Sequence, residues 1–306
     1  MRRIVTAVAV AAGVVAVLPW FDFMLSVANR PVRIATIISH RGNGFGHPEN
    51  TVAAVEAATA AGFPVEVDVR LSKDGTPFLL HDPTLDRTTP CSGLIADKTD
   101  LELASCGVDT LADTLNLTMG SLEVHPKVAD VDTLAAVGAL FASVPPERVS
   151  LFVRPTNDVH AAEVAARFAN HTIFWSVPTM KAAKAVWPAF KADKDVYAMS
   201  MHQLWSHPGL LRWVTQRTQK LNVYFPCDRG CLVKPNRWMV MGMPITHAEV
   251  DNPREFESSD PSPTMPAAVY RASSVGLAMA LAIGWALGRW TQRPAYAPVG
   301  TMGEWH

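Results

Sequence analysis

The stretch that decides the fold reads Ile38-Ser39-His40-Arg41-Gly42, then Pro48-Glu49-Asn50-Thr51, then Val65-Glu66-Val67-Asp68-Val69, then Leu79-Leu80-His81-Asp82. Residues 34–39, 65–69 and 78–80 are short apolar runs and read as strands. Side chains alternate along a strand, so Glu66 and Asp68, two apart, share one face. Two carboxylates on one buried face are costly unless they are paired or hold a cation. Residues 52–61 are Ala-rich and read as a helix between the first two strands. Lys73-Asp74-Gly75 reads as the turn between the second and third.

Outward from this stretch the pattern repeats. Residues 91–127 are irregular and give no clear element. Then come a helix at 133–143, a strand at 149–153, a helix at 161–170 and a strand at 172–176. A helix over 180–190 should end early at Pro188, and strands at 196–200 and 221–225 flank a helix at 210–219. Residues 238–241 read as a last strand. This alternation predicts an α/β fold with a parallel sheet flanked by helices. Over residues 31–253 the strand count favours a TIM (β/α)8 barrel, which typically takes about 250 residues. A doubly wound open sheet is the alternative. No Gly-x-Gly-x-x-Gly follows the first strand, which counts against its dinucleotide-binding form. In a barrel the active site lies at the strand C-termini. His40-Arg41, the Glu66/Asp68 pair and His81 would then meet at one end.

Composition bounds the rest. The chain has 306 residues, 49% apolar and 18% charged, enough for a sizeable core and unlike a disordered chain. A net charge of −1, from 27 basic and 28 acidic residues, gives no nucleic-acid surface. The apolar residues are unevenly spread. Residues 4–21 carry no charge and follow Met1-Arg2-Arg3, the pattern of a signal anchor or signal peptide within 1–30. Residues 254–271 are rich in proline and serine and read as a linker. Within 272–290 a second uncharged run, bearing Trp285, Trp290 and a Gly284/Gly288 pair, reads as a transmembrane helix before a tail at 291–306. Arginines flank both runs and place both chain ends on the cytoplasmic side. The barrel would then be extracytoplasmic, in a lumen, at the cell surface or in a periplasm. Sequons at Asn116 and Asn170 and an even set of cysteines, Cys91, Cys106, Cys227 and Cys231, agree with that side. Cys227 and Cys231 are close enough in sequence to pair.

The residue types define a chemistry. Paired oxygen ligands suit Mg²⁺ or Ca²⁺. An arginine beside them suits a phosphate, and two histidines suit general acid and base roles near neutral pH. In order and spacing, His40-Arg41-Gly42, Pro48 to Thr51, Glu66 to Val69, Lys73 to Gly75, His81-Asp82 and Arg87-Thr88-Thr89 resemble the N-terminal signature of glycerophosphodiester phosphodiesterases. The resemblance implies a TIM barrel, a divalent metal on Glu66 and Asp68, and His40 and His81 as the acid–base pair. It also implies phosphate at Arg41, and Glu49, Asn50 and Asp82 lining the site. The substrate would be a glycerophosphodiester or lysophospholipid at a membrane.

Two departures from that family pattern stand out. The family supplies a third metal carboxylate in a Glu-x-Lys pair on the next barrel strand. The favoured alignment of that strand, with 149–153, puts Phe152 and Arg154 at the places of the glutamate and lysine. The other alignment uses Glu123 in Leu122-Glu123-Val124-His125-Pro126-Lys127, which arrives early. Near the end, Pro244-Ile245-Thr246-His247 stands where the family has Ile-Thr-Asp. A barrel that binds phosphate-bearing lipids or a protein partner without strong catalysis is therefore the other function class. A venom-type phospholipase D is a further enzyme reading, against which the Pro48 to Thr51 motif argues.

Overall fold

The computed structural model describes residues 34–200, 208–218, 220–225 and 245–259. Among the described residues nine strands follow one another as β1 Thr36–His40, β2 Val65–Leu71, β3 Pro77–Leu79, β4 Leu122–Pro126, β5 Val149–Val153, β6 Thr172–Ser176, β7 Val196–Ser200, β8 Leu221–Tyr224 and β9 His247–Val250. The sheet order is β1-β9-β8-β7-β6-β5-β4-β2-β3, and β1 also pairs with β2, so the sheet closes on itself. Every pairing around the ring is parallel; β3 alone runs antiparallel, along β2 outside the ring. This is the eight-stranded TIM barrel the alternation predicts.

Alternation sorts the side chains. Val65, Val67 and Val69 of β2 point outward into the main core, and Glu66 and Asp68 point inward. The helices are α1 Val52–Ala60, α2 Asp100–Ser105, α3 Leu111–Leu117, α4 Val131–Phe141, α5 Asp158–Arg167, α6 Met180–Val186, α7 Pro208–Thr215 and α8 Pro253–Ser258; all but α2 contribute to the main core, and Leu103 of α2 joins a separate cluster with Phe78 and Leu85. Their starts are written in the sequence. Thr51, Thr99, Thr110, Asp130, Asn157, Thr179 and Asn252 each accept a backbone N–H of the first turn. Pro188 does end α6 early, and the chain continues as a 3₁₀ turn at Trp187–Ala189.

Three readings are corrected. The stretch 91–127 is not irregular: it holds α2, α3 and barrel strand β4. Residues 254–258 are not linker but part of α8, whose Phe256 is buried against Phe225. The closing strand is His247–Val250, later than the 244–247 motif. A disulfide joins Cys91 to Cys106 across the excursion between β3 and β4, while Cys227 and Cys231 lie outside the described residues. So do the strand read at 238–241 and both apolar runs, 4–21 and 272–288. Among the described residues no helix is long and apolar enough to cross a membrane.

Candidate active site

The site starts where β1 turns. Arg41 has φ 55° and Gly42 φ 73°, both left-handed. A Cβ on Gly42 would come within 2.8 Å of the Ala54 Cβ, so glycine alone lets α1 approach this closely. The turn aims Arg41 inward, where it is buried. Its backbone N–H donates to Glu66 Oε2 at 3.2 Å and Nη1 donates to Glu49 Oε1 at 3.1 Å. Its Nε lies 3.0 Å from Asp68 Oδ2. Asn50, also left-handed at φ 55°, clamps Asp68 from both sides. Its Nδ2 donates to Asp68 Oδ2 at 3.1 Å, and its Oδ1 accepts the Asp68 N–H at 2.9 Å. Asparagine tolerates this backbone region better than most residues.

Each histidine is held by an aspartate. His40 Nδ1 lies 2.7 Å from Asp251 Oδ1, which also accepts from Asn43 Nδ2 at 3.2 Å. Burial pulls the His40 pKa down. The Asp251 hydrogen bond and the Glu66 and Glu249 carboxylates outweigh that and push it up to about 9. His81 Nδ1 lies 2.7 Å from Asp82 Oδ1. Arg87 then donates to Asp82 Oδ2 at 2.5 Å and to Glu49 Oε1 at 2.6 Å. Arg70 Nε donates to the His81 carbonyl at 2.8 Å, fixing the backbone under the ring. Two imidazoles anchored through Nδ1 keep Nε2 for proton transfer.

Between them lie four buried carboxylates: Glu66, Asp68, Glu123 and Glu249. Glu66 stands in register with Glu123, and Asp68 with His125. Burial, then the neighbouring Asp68 charge, pushes Glu66 up to about 8; burial and Glu66 push Glu249 up to about 7. Burial with Glu249 and Glu66 raises Glu123 as well. Asp68 goes the other way: burial opposes its charge, but Lys127, His125 and Arg41 hold it well below the carboxylate range. Both Glu123 oxygens are buried without a hydrogen-bond partner. Two sets of donor atoms stand close enough to share an ion: His40, Glu66 and Glu249, and Glu66, Asp68 and His125. Orphaned carboxylate oxygens in a crowd of acids are the donor set a divalent cation needs, so these residues fit one.

The structure brings together all the residues the sequence singles out and corrects one alignment. The strand after β2 in the barrel is β4, so the inward position beside Glu66 on the next strand is Glu123, although neither close donor set includes it. Phe152 does face the interior, as alternation predicts. It sits one strand further on, packed with Ile38, Phe174, Val196 and Ala198. The reason is topological: β3 is not a barrel strand, and β4 follows the excursion that carries the disulfide. Sequence reasoning missed Glu249 and Asp251. Val250-Asp251-Asn252-Pro253 carried the signal, since an Asx cap followed by proline marks a helix start directly after a strand.

A closed parallel barrel with an acidic cluster and two aspartate-held histidines is a (β/α)8 protein with an acid–base and cation-type site. Residues 40–203 match the glycerophosphoryl diester phosphodiesterase family, and the chain belongs to that family. It is 44% identical over 71 residues to glycerophosphodiester phosphodiesterase 1 of Rattus norvegicus, covering 23% of this chain and 22% of that protein. It is 46% identical over 63 residues to the Homo sapiens protein of the same name, covering 20% of this chain and 19% of that one. The aligned stretch thus spans about a fifth of these relatives' length. Among solved structures, a glycerophosphoryl diester phosphodiesterase from Parabacteroides distasonis superposes with TM-score 0.62 at 19% identity, over 74% of this chain and 86% of that one. An Oleispira antarctica phosphodiesterase in complex with sn-glycerol-3-phosphate gives TM-score 0.54 at 22% identity, over 74% and 96%. Both show the fold.

Proposed function

We propose that the chain is a phosphoric diester hydrolase acting on glycerophosphodiesters, with lysophospholipids as a second substrate class that presents the same glycerol phosphodiester. The observation that carries this is the pairing of two aspartate-anchored histidines with a buried acidic cluster at one barrel end. The named activity of the relatives supports it, as does the product bound by the Oleispira protein. Glu66, Asp68 and Glu123 would hold a divalent cation, Mg²⁺ or Ca²⁺ in the family pattern, which when bound neutralises charge on phosphoryl oxygens. Arg41 adds positive charge at the same edge. His40, held protonated by Asp251, Glu66 and Glu249, donates its proton to the departing alcohol oxygen. His81, oriented by Asp82, takes the proton of the attacking glycerol 2-hydroxyl. The immediate product is a cyclic glycerol phosphate, which water opens in a second step.

An oxidising, extracytoplasmic setting belongs to the same proposal, supported by the Cys91–Cys106 disulfide. Membrane attachment through 4–21 and 272–288 rests on their composition. The decisive experiment purifies the full chain, strips it with chelator and assays glycerophosphocholine and lysophosphatidylcholine with and without Mg²⁺ or Ca²⁺. Cation-dependent release of choline is the expected result. No turnover of either substrate with any divalent cation would leave the non-catalytic, phosphate-binding barrel as the better reading.

A further inference from the structure

β4 and the residue after it offer three alternate positions to the acidic cluster, Glu123 and His125 on the strand and Lys127 just beyond it. The family pattern places a lysine two residues after the glutamate; this chain has His125 there, and a lysine two residues later still. An ammonium group cannot coordinate a cation, whereas a neutral imidazole can. His125 is placed to do so. Its Nδ1 lies 3.5 Å from Glu66 Oε1 and 3.5 Å from Asp68 Oδ1. These separations exceed a good hydrogen bond. They match the edge of a coordination shell, about 3–3.5 Å for ligands about 2.1 Å from one ion.

The remaining oxygens are already committed elsewhere. Glu66 Oε2 accepts the Arg41 N–H, and Asp68 Oδ2 accepts from Asn50. Oε1 of Glu66 and Oδ1 of Asp68 are therefore the atoms that turn toward His125, and these three donors lie within 4.8 Å of one another. The Phe152 ring packs on the imidazole with centroids 4.4 Å apart, which limits its rotation. Lys127 Nζ lies 3.1 Å from Asp68 Oδ1, so a cation must share that oxygen with it.

We infer that His125 is a direct nitrogen donor to the cation, so that this site takes a first-row transition dication such as Mn²⁺, Co²⁺ or Zn²⁺ in preference to Mg²⁺ or Ca²⁺. The inference rests on the reading that the acidic cluster holds a divalent cation. Mixed imidazole–carboxylate sets favour borderline ions, while Mg²⁺ and Ca²⁺ keep to oxygen. The histidine thus changes which ion the barrel recruits without disturbing the carboxylates that recruit it.

The test uses the full chain, stripped of metal. Mg²⁺ and Zn²⁺ are titrated by calorimetry into the native protein, His125→Gln and His125→Lys. Pulsed electron paramagnetic resonance of the Mn²⁺-loaded forms reads directly bound nitrogen. The expected result is a ¹⁴N modulation in the native protein that His125→Gln abolishes. The Zn²⁺-over-Mg²⁺ affinity ratio should fall at least about tenfold in both variants, since loss of a direct ligand should cost no less than the ~10–100-fold of losing an outer-shell partner. Mn²⁺ bound without ¹⁴N modulation in the native protein would overturn this inference alone, and that measurement needs no variant to fold. Modulation persisting in His125→Gln would overturn it too and would point to His40. Failure of the native protein to bind any of these ions would bring down the cation reading itself.

Discussion

The barrel interior has two unlike halves. Strands β1, β2, β4 and β9 point His40, Glu66, Asp68, Glu123, His125 and Glu249 inward, whereas β5, β6 and β7 point Phe152, Phe174, Val196 and Ala198 inward. Both halves obey the same alternation, and both are buried. The difference teaches that an inward position is a place and not a function: what it does depends on the strand beside it. Glu123 has Glu66 as its register partner and joins the acidic cluster. Phe152 has Phe174 as its partner and joins an apolar wall.

The largest expected effect breaks the acidic half outright. His40→Ala and His81→Ala should each lower turnover by about 10²–10⁴, the usual contribution of a positioned acid or base. Steady-state assays on folded variants check this, with circular dichroism as the control. Near-native turnover in either one removes that histidine from the proton-transfer scheme. Asp251→Asn sharpens the same point more gently. His40 must carry its proton to act as the acid, so activity should fall as pH rises through about 9. Without the Asp251 carboxylate that basic limb should move to lower pH. An unmoved limb would show that Asp251 does not set the His40 proton.

Next comes the contrast between the halves themselves. Glu123→Gln should weaken cation binding by more than the ~10–100-fold typical of losing an outer-sphere partner. Phe152→Glu should not create a ligand. It places a charge among Ile38, Phe174, Val196 and Ala198 and should destabilise the fold without tightening metal binding. Calorimetric titration and thermal melts separate the two effects. Tighter binding in Phe152→Glu would mean that a carboxylate there reaches the ion past His125, whose ring Phe152 touches.

How much of this was legible in the sequence follows the same division. The first half of the site is local: His40, Arg41, Glu49, Asn50, Glu66, Asp68, His81 and Asp82 fall within a few dozen residues, on or beside the readable strands β1 and β2 and the turns that follow β1 and β3. Glu123 was harder, because β4 emerges from a long excursion. Yet Leu122-Glu123-Val124-His125 repeats the apolar–polar alternation of Val65-Glu66-Val67-Asp68, and that was the available signal. Glu249 and Asp251 reach the site only through closure of the ring, where β9 pairs with β1. No local pattern encodes a contact across 211 positions, such as His40 to Asp251.

The smallest effect is on stability, and it reads the acidic half without touching chemistry. Glu66 and Glu249 have native pKa values raised to about 8 and about 7. The folded protein therefore holds protons that the unfolded chain has released, and stability falls from about pH 4.5, the ordinary glutamate value, until each native value is passed. His40, raised to about 9, adds in the same direction: its contribution is complete below about 6.5 and lost as pH climbs past 9. His125, lowered to about 3, and His247, lowered to about 4, act oppositely, gaining stability as pH rises toward 6.5. Up to about pH 6.5 these gains and losses oppose one another; above it only losses remain, so metal-free protein should lose stability from about pH 6.5 to about 9. A bound cation favours the ionised carboxylates, so adding it should flatten that decline most at the alkaline end. Thermal melts across pH, with and without metal, measure both slopes. Parallel curves would show that the cation does not bind at Glu66, and the acidic half would then need another explanation for its crowded carboxyls.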